Sequence, residues 1–313
     1  MIIDVHSHFY PKPYLERLTE LNRGDASAWG RFAGQTLRDT VTQHNRYFEV
    51  EPHLAEMDEA GVDMEALSLS IPYPYFDDEG DTVALTRLAN DELADLCARY
   101  PKRFKVFAAL PLPHVDAALK ELERAIDVLK LHGIGLGANV RGLPLDDPRF
   151  APIYREIHRR NLAVFMHPMV PPGIEEMADL GVSFGFLVDG ALSTLRLAQR
   201  GIFAENPDMN FIVPHLGSFL IAGWDRLTGG GRRTTDAGSN PADDLRRLYY
   251  DAVNAHLPTW HAALETVGAD HIVYGSDFPW GRMKRTVDVI NALDLTPEQR
   301  EAIFHGNAER ILR

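Results

Sequence analysis

Short apolar or β-branched runs recur along the chain, each followed by a stretch whose apolar residues fall three and four positions apart. This alternation is the one expected of parallel strands joined by crossover helices. Eight strands are expected, at 2–6, 64–70, 104–110, 133–139, 163–167, 211–215, 248–252 and 272–276. Helices read between them, for example at 81–100, 115–131 and 147–160, and Pro101, Gly133 and Gly201 punctuate their ends. Eight such units predict an α/β fold of the (β/α)8 TIM-barrel type. The 313 residues suffice for one barrel with insertions, since the fold commonly takes about 250 residues.

No linker-like change of composition divides the chain, so one domain over 1–313 is expected. Two stretches break the rhythm, at about 7–50 and about 228–242, after the first and sixth strands. The first contains Trp29, Phe32, Arg46, Tyr47 and Phe48 and could roof a pocket. The second, with Gly229, Gly230, Gly231 and Gly238, reads as a flexible surface insertion before a catalytic lid.

Hydrophobic residues make up 45% and charged residues 25%, which is ordinary for a folded soluble protein with a sizeable core. The net charge of −13 disfavours nucleic acid and anionic membranes as partners, though it permits a local basic pocket. Met1 leads directly into a strand pattern without a basic and apolar leader, and no apolar run approaches membrane-spanning length. A cytoplasmic location is the expectation. Cys97 is the sole cysteine and sits in a helical pattern, as a packing residue.

The segment Ile2-Ile3-Asp4-Val5-His6-Ser7-His8 places two imidazoles two residues apart at the end of an apolar run. On a strand such residues share a face about 7 Å apart, and they can serve one metal ion if other ligands converge. Alone, the pair reads equally well as capping or surface histidines. In a (β/α)8 barrel, however, residues just past each strand face one mouth. His6 and His8 end the first strand, His167 the fifth and His215 the sixth, and Asp277 follows the eighth. Chance would scatter these groups over both ends of the barrel.

Further motifs accompany them: Met57-Asp58-Glu59-Ala60-Gly61-Val62-Asp63, Asn90-Asp91-Glu92-Leu93, His167-Pro168, Pro214-His215-Leu216-Gly217, Gly275-Ser276-Asp277-Phe278-Pro279 and Gly306-Asn307-Ala308. With His6-Ser7-His8, these resemble the metal-dependent amidohydrolase superfamily over nearly the whole chain. The resemblance is to the branch containing aminocarboxymuconate-semialdehyde decarboxylase and related decarboxylases, hydratases and hydrolases. It implies that His6, His8, His167 and Asp277 bind one divalent ion, Zn²⁺ ahead of Mn²⁺ or another, with His215 as general base. Such an ion lowers the pKa of its water toward about 7, and imidazole, with an unperturbed pKa near 6.5, exchanges protons in that range. Asp277 doubles as proton shuttle. The bridging lysine or glutamate of binuclear relatives has no counterpart in 133–140, so one metal is expected.

The same resemblance implies a lyase that decarboxylates a small carboxylated unsaturated or aromatic compound, with metal-dependent hydrolysis of a C–C or C–N bond as the alternative. An idle binding protein on the same scaffold is the reading from another class. Arg226, eleven residues after His215, matches an arginine that the similar decarboxylase supplies across a homodimer interface, and Arg46 matches a second. Either also reads as a surface arginine. Trp280 could stack on a planar substrate or serve as a rim aromatic. Met169 and Leu216-Gly217-Ser218 depart from the decarboxylase pattern, which leaves substrate identity open.

Overall fold

The structure is a computed structural model that describes residues 1–23, 25, 28–171, 173, 180–229 and 234–312, with only the backbone of Ala28, Trp29, Phe32, Asp39 and Ser218. The expected aromatic roof contribution of Trp29 and Phe32, and loop positions 230–233, therefore lie outside the described residues. Eight strands form one sheet in chain order: β1 (Ile3–His8), β2 (Met64–Ser68), β3 (Phe104–Ala109), β4 (Gly133–Gly137), β5 (Ala163–His167), β6 (Asn210–Val213), β7 (Tyr249–Asp251) and β8 (Ile272–Val273). Neighbours from β1 to β8 pair in parallel. The sheet then closes on itself. Val5 N donates to Tyr274 O at 3.0 Å, Asp277 N to His6 O at 2.8 Å and His8 N to Phe278 O at 2.8 Å. This is the (β/α)8 barrel that the alternating pattern predicts.

One apolar cluster draws on every strand except β4, through Ile3, Val5, Ala66, Phe107, Phe165, Ile212, Tyr249 and Val273, and is joined by Ala308, Ile311 and Leu312 near the C-terminus. β4 contributes glycine instead. A Cβ on Gly133 would stand 2.8 Å from the Phe107 ring, so absence of a side chain is what lets Phe107 fill that space. The larger cluster lies between strands and helices. Its helix Glu79–Arg99 starts on an Asp78 cap whose side chain accepts from Asp81 N. Cys97 lies half-buried on this helix, and burial raises its thiol to about 11, in keeping with a packing role.

The structure shortens several strands relative to the hydrophobic runs. β6 stops at Val213, and β8 keeps two residues, because the chain turns sharply at their C-terminal ends. β1, in contrast, runs through His8, so both histidines lie on the strand itself. The expected helix at 115–131 is regular over Val115–Glu123 and continues as one wide turn, Arg124–Val128. The 7–50 stretch carries helices Lys12–Leu21 and Ala28–Asp39 and a short turn Asn45–Tyr47, before helix Val50–Ala60. Among the described residues no helix is long and apolar enough to cross a membrane.

Helix Phe186–Gln199 is fastened to the barrel mouth by Asp189. This carboxylate accepts from Met169 N and from Asn139 Nδ2, both at 2.9 Å. Burial pushes its pKa up to about 7. The folded pKa exceeds the unfolded one, so folding favours the protonated form; the resulting stability is complete below about pH 4 and is lost as pH rises through about 7. Replacing Asp189 with Asn keeps an acceptor for Met169 N and removes the ionisation. Thermal unfolding should show Asp189→Asn raising Tm more at pH 8 than at pH 5, with a gain of at most about 4 kcal/mol at the higher pH.

Candidate metal centre and active site

The ligand atoms of His6, His8, His167 and Asp277 all lie within 4.8 Å of one another. Two are set by the pleat of β1, one by the end of β5 and one by the turn after β8. Each histidine reaches the cluster through a nitrogen chosen by what its other nitrogen does. His6 Nδ1 is held by Asp251 Oδ2 at 2.5 Å and His8 Nδ1 by Ser68 Oγ at 3.0 Å, which leaves both Nε2 atoms facing inward. His167 Nδ1 donates to the Pro168 carbonyl at 2.7 Å, leaving its Nε2 beside Ser70 Oγ at 3.2 Å. His6 Nε2 and His8 Nε2 each lie 3.3 Å from Asp277 Oδ1.

These three atoms, His6 Nε2, His8 Nε2 and Asp277 Oδ1, are buried and have no hydrogen-bond partner. Leaving three polar atoms so oriented and unsatisfied is costly, and a cation at their common focus resolves it. Three imidazoles and one carboxylate are donors suited to a divalent transition ion. The residues present therefore fit one metal.

The charged groups of the cluster act strongly on one another. Burial opposes charge on His6, but the carboxylates of Asp251 and Asp277 outweigh it and raise the imidazole to about 10. Burial lowers His8 to about 4 and holds His167 well below the ordinary range. Asp277 stays well below the ordinary carboxyl range: burial works against its charge, yet His6 leads a set of imidazoles that favour it.

His215 approaches from the turn after β6, with Nε2 3.7 Å from Asp277 Oδ2. The backbone there is unusual. His215, Leu216 and Asp277 have φ of 55°, 53° and 61°, a region costing non-glycine residues roughly 1–2 kcal/mol each. Two hydrogen bonds hold these turns: Leu216 N donates to Asp251 Oδ1 at 3.1 Å, and Asp277 N to His6 O at 2.8 Å.

The side chains enclose a cavity of about 180 Å³ lined by Thr36, Thr40, Ser70, Ile71, His167, Val182, Phe186, His215, Asp277 and Trp280. The structure thus brings together His6, His8, His167, Asp277, His215 and Trp280. It places neither Arg46 nor Arg226, the two expected substrate-binding arginines, in the lining of this cavity. Arg46 is half-buried and reaches it only through Tyr47: its guanidinium lies 5.4 Å from the Tyr47 ring, which packs 4.8 Å from Trp280. Arg226 is exposed on helix Trp224–Thr228, beside an outer apolar groove with Leu192, Leu195 and Phe219.

Several supporting residues were not singled out from the sequence. Asp251, at the end of β7, was detectable by the same strand-end rule that sorts the histidines. Asp4, Glu65 and His53 gave no such signal, because their roles depend on long-range pairing. Asp4 accepts from His6 N at 3.0 Å and Ser276 Oγ at 2.5 Å; burial, reinforced by Glu65, pushes its pKa up to about 8. Ser7, between the two ligand histidines, donates to Glu65 Oε2 at 2.6 Å, and the same oxygen meets His53 Nδ1 at 2.8 Å. His53 Nε2 in turn donates to the Arg46 carbonyl at 3.1 Å.

Asp251→Asn should leave the far-ultraviolet circular dichroism unchanged and weaken metal binding by roughly 10–100-fold, measured by competition with a chelator.

Comparison with known proteins follows the same geometry. A family model described as amidohydrolase matches residues 3–313. Gamma-resorcylate decarboxylase of Rhizobium sp. (strain MTP-10005) is 30% identical over 298 residues, covering 87% of this chain and 89% of the relative. The 2-amino-3-carboxymuconate-6-semialdehyde decarboxylase of Dictyostelium discoideum is 23% identical, covering 99% of this chain and 91% of its own. The crystal structure of 5-carboxyvanillate decarboxylase from Novosphingobium aromaticivorans, complexed with manganese and 4-hydroxy-3-methoxy-5-nitrobenzoic acid, superposes with a TM-score of 0.88 at 25% identity, covering all of this chain and 96% of that one. With a match that spans almost every residue and the metal-type cluster at its barrel mouth, this chain belongs to the amidohydrolase family.

Proposed function

We propose that the protein is a metal-dependent decarboxylase acting on a small aromatic or conjugated carboxylate. The observation that carries this reading is the cavity in which His167 and Asp277 of the metal-type cluster meet His215 beside Trp280. The relatives' activities favour decarboxylation over the hydrolytic alternative.

A divalent ion held by His6, His8, His167 and Asp277 would supply positive charge to substrate oxygens. We take Zn²⁺ as the ion on donor chemistry, with Mn²⁺ as a second reading favoured by the manganese in a relative's structure. The remaining chemistry belongs to side chains. Decarboxylation replaces carbon dioxide by a proton at the carbon that bore the carboxylate. Protonation of that carbon interrupts conjugation; the C–C bond then breaks, its electron pair restores the conjugated system, and carbon dioxide departs. His215 and Asp277 hold and pass that proton. The surrounding imidazoles hold Asp277 well below the ordinary carboxyl range, so it meets the substrate as a carboxylate able to accept that proton. Trp280 lines the cavity and offers its ring to a planar substrate.

Arg46 supports the Tyr47–Trp280 wall and adds positive charge near the mouth. Arg226 serves a homodimer in this reading. It borders an outer groove lined by Val188, Ala191, Leu192, Leu195 and Phe219, near exposed Val182 and Phe184. Val182 also lines the site cavity, so a second copy seated on this face would lie beside the substrate.

Removing metal with a chelator should abolish carbon dioxide release from hydroxybenzoates and carboxylated muconate semialdehydes, and Zn²⁺ or Mn²⁺ should restore it. Metal analysis of the purified protein decides between the two ions. His215→Asn should lower kcat by about 10²-fold or more at nearly unchanged metal content; loss of the metal would make it a ligand instead. Sedimentation should report a dimer, and Leu192→Glu should shift it to monomer with reduced activity. A wild-type monomer at full activity would remove Arg226 from the site.

A further inference from the structure

A second cleft, of about 360 Å³, lies between the loop after β7 and the segment that leads from β8 into helix Met283–Ala292. That segment and helix bring Arg282, Arg285 and Thr286 to its lining. With the metal-side cavity it shares only Asp277 and Trp280.

The charges around this cleft do not balance. Arg282 is matched, since its guanidinium meets Glu56 Oε2 at 2.9 Å with Glu59 at 3.9 Å, and Lys284 pairs with Asp288. Asp277 turns its carboxylate to the imidazoles of His6, His8 and His215. Arg285 is exposed, and among the described residues its guanidinium has no acidic or hydrogen-bond partner. The helix start sharpens the imbalance: its first turn has no acidic residue, and no side-chain cap closes it. Glu56 Oε1 accepts from Met283 N at 3.1 Å, but that carboxylate already answers Arg282. The partial positive charge of a helix N-terminus and the Arg285 cation therefore reinforce each other, and an anion relieves both.

Thr286 is a second, independent observation. It lines the cleft at 7% exposure, and among the described residues its hydroxyl has no hydrogen-bond partner. Thr194, Thr228 and Thr266, on other helices, return their hydroxyls to the carbonyl four residues back. Thr286 does not, so a buried donor faces the cleft unused, which is costly without a ligand to take it.

We propose that this cleft is a second binding site, for a small organic acid with one carboxylate. The carboxylate sits on Arg285, whose forked guanidinium suits it, and accepts from the Thr286 hydroxyl. Val253, Ala255 and Val289 give the rest of the molecule an apolar wall. One unmatched cation sets the charge of the occupant at one, because a second carboxylate would meet no second cation to replace its water. The site uses neither a bound metal nor the decarboxylase reading. An acid held here lies beside Asp277 and Trp280, so the two cavities are neighbours through one shared wall.

Arginine side-chain nuclear magnetic resonance of the metal-loaded protein reads the site directly, with the Arg285 Nε signal identified by its absence from Arg285→Lys. Benzoate should shift that signal saturably, and benzamide, its neutral counterpart, should bind about tenfold more weakly or worse. Thr286→Val should weaken benzoate by roughly three- to tenfold, and Thr286→Ser should restore it. Raising the salt concentration should weaken benzoate and leave benzamide unchanged. Butyrate in place of benzoate separates an aliphatic from an aromatic source of the acid, and the tighter of the two names it. Equal affinity for benzoate and benzamide, or a signal that does not saturate, would overturn the inference. Equal benzoate affinity in Thr286→Val and wild type would also overturn it, since an exposed arginine would then be attracting anions without a built site.

Discussion

Asp251 is a carboxylate with no solvent exposure at the end of β7, and much of the site hangs on the way its charge is compensated. Burying an ion there is costly, and the carboxylate recovers that cost through close partners. One oxygen takes His6 Nδ1; the other accepts the amides of Leu216 and Val253. The first contact fixes the tautomer and ring orientation of a metal-ligand candidate. The second pins the left-handed turn that carries His215. A single buried charge therefore sets the geometry of both the metal-type cluster and the His215 turn, and it does so from a strand that supplies neither.

The barrel seam has a similar double duty. Strands β8 and β1 share few ladder bonds, and the closure is made by Asp277 N to His6 O and His8 N to Phe278 O. Asp4, two residues before His6, also binds the backbone and hydroxyl of Ser276. Closing the fold thus brings Asp277 to the histidines of β1. The strained backbone at His215, Leu216 and Asp277 persists because these tertiary bonds over-determine it. Stability and site geometry share the same contacts here, so changes at the seam will register in both.

Around this floor the walls are built from loops and covering helices. The long segment after β1 supplies Thr36, Thr40 and the Tyr47 support of Trp280; helix Phe186–Gln199 and the turn before it supply Phe186 and Val182. A chemistry held on strand ends and a selectivity held on loops and covering helices is the division that the barrel architecture favours. His53 links the two levels, since it meets Glu65 beneath the β1 histidines and the Arg46 carbonyl in the roof segment.

What the chain alone determined was periodic and local. Apolar runs alternating with helical spacing specify eight strands and their order, and a strand-end rule collects His6, His8, His167, His215 and Asp277 at one mouth, because side-chain direction follows from the pleat. Boundaries were less legible: β6 and β8 stop early because tertiary bonds to Asp251 and His6 stabilise left-handed turns that no local propensity favours. The partners of Asp4, Glu65 and His53 were invisible for the same reason, as each hydrogen bond joins residues distant in sequence or on different elements. Only the folded chain decided which histidine nitrogen faces the metal cluster, that Arg226 lies on the outer surface and Arg46 behind Tyr47, and that Ile71, Val182, Phe186 and Trp280 wall the cavity beside the cluster. Residue type fixes what a side chain can do; burial, distance and the competing partner decide which of those things it does.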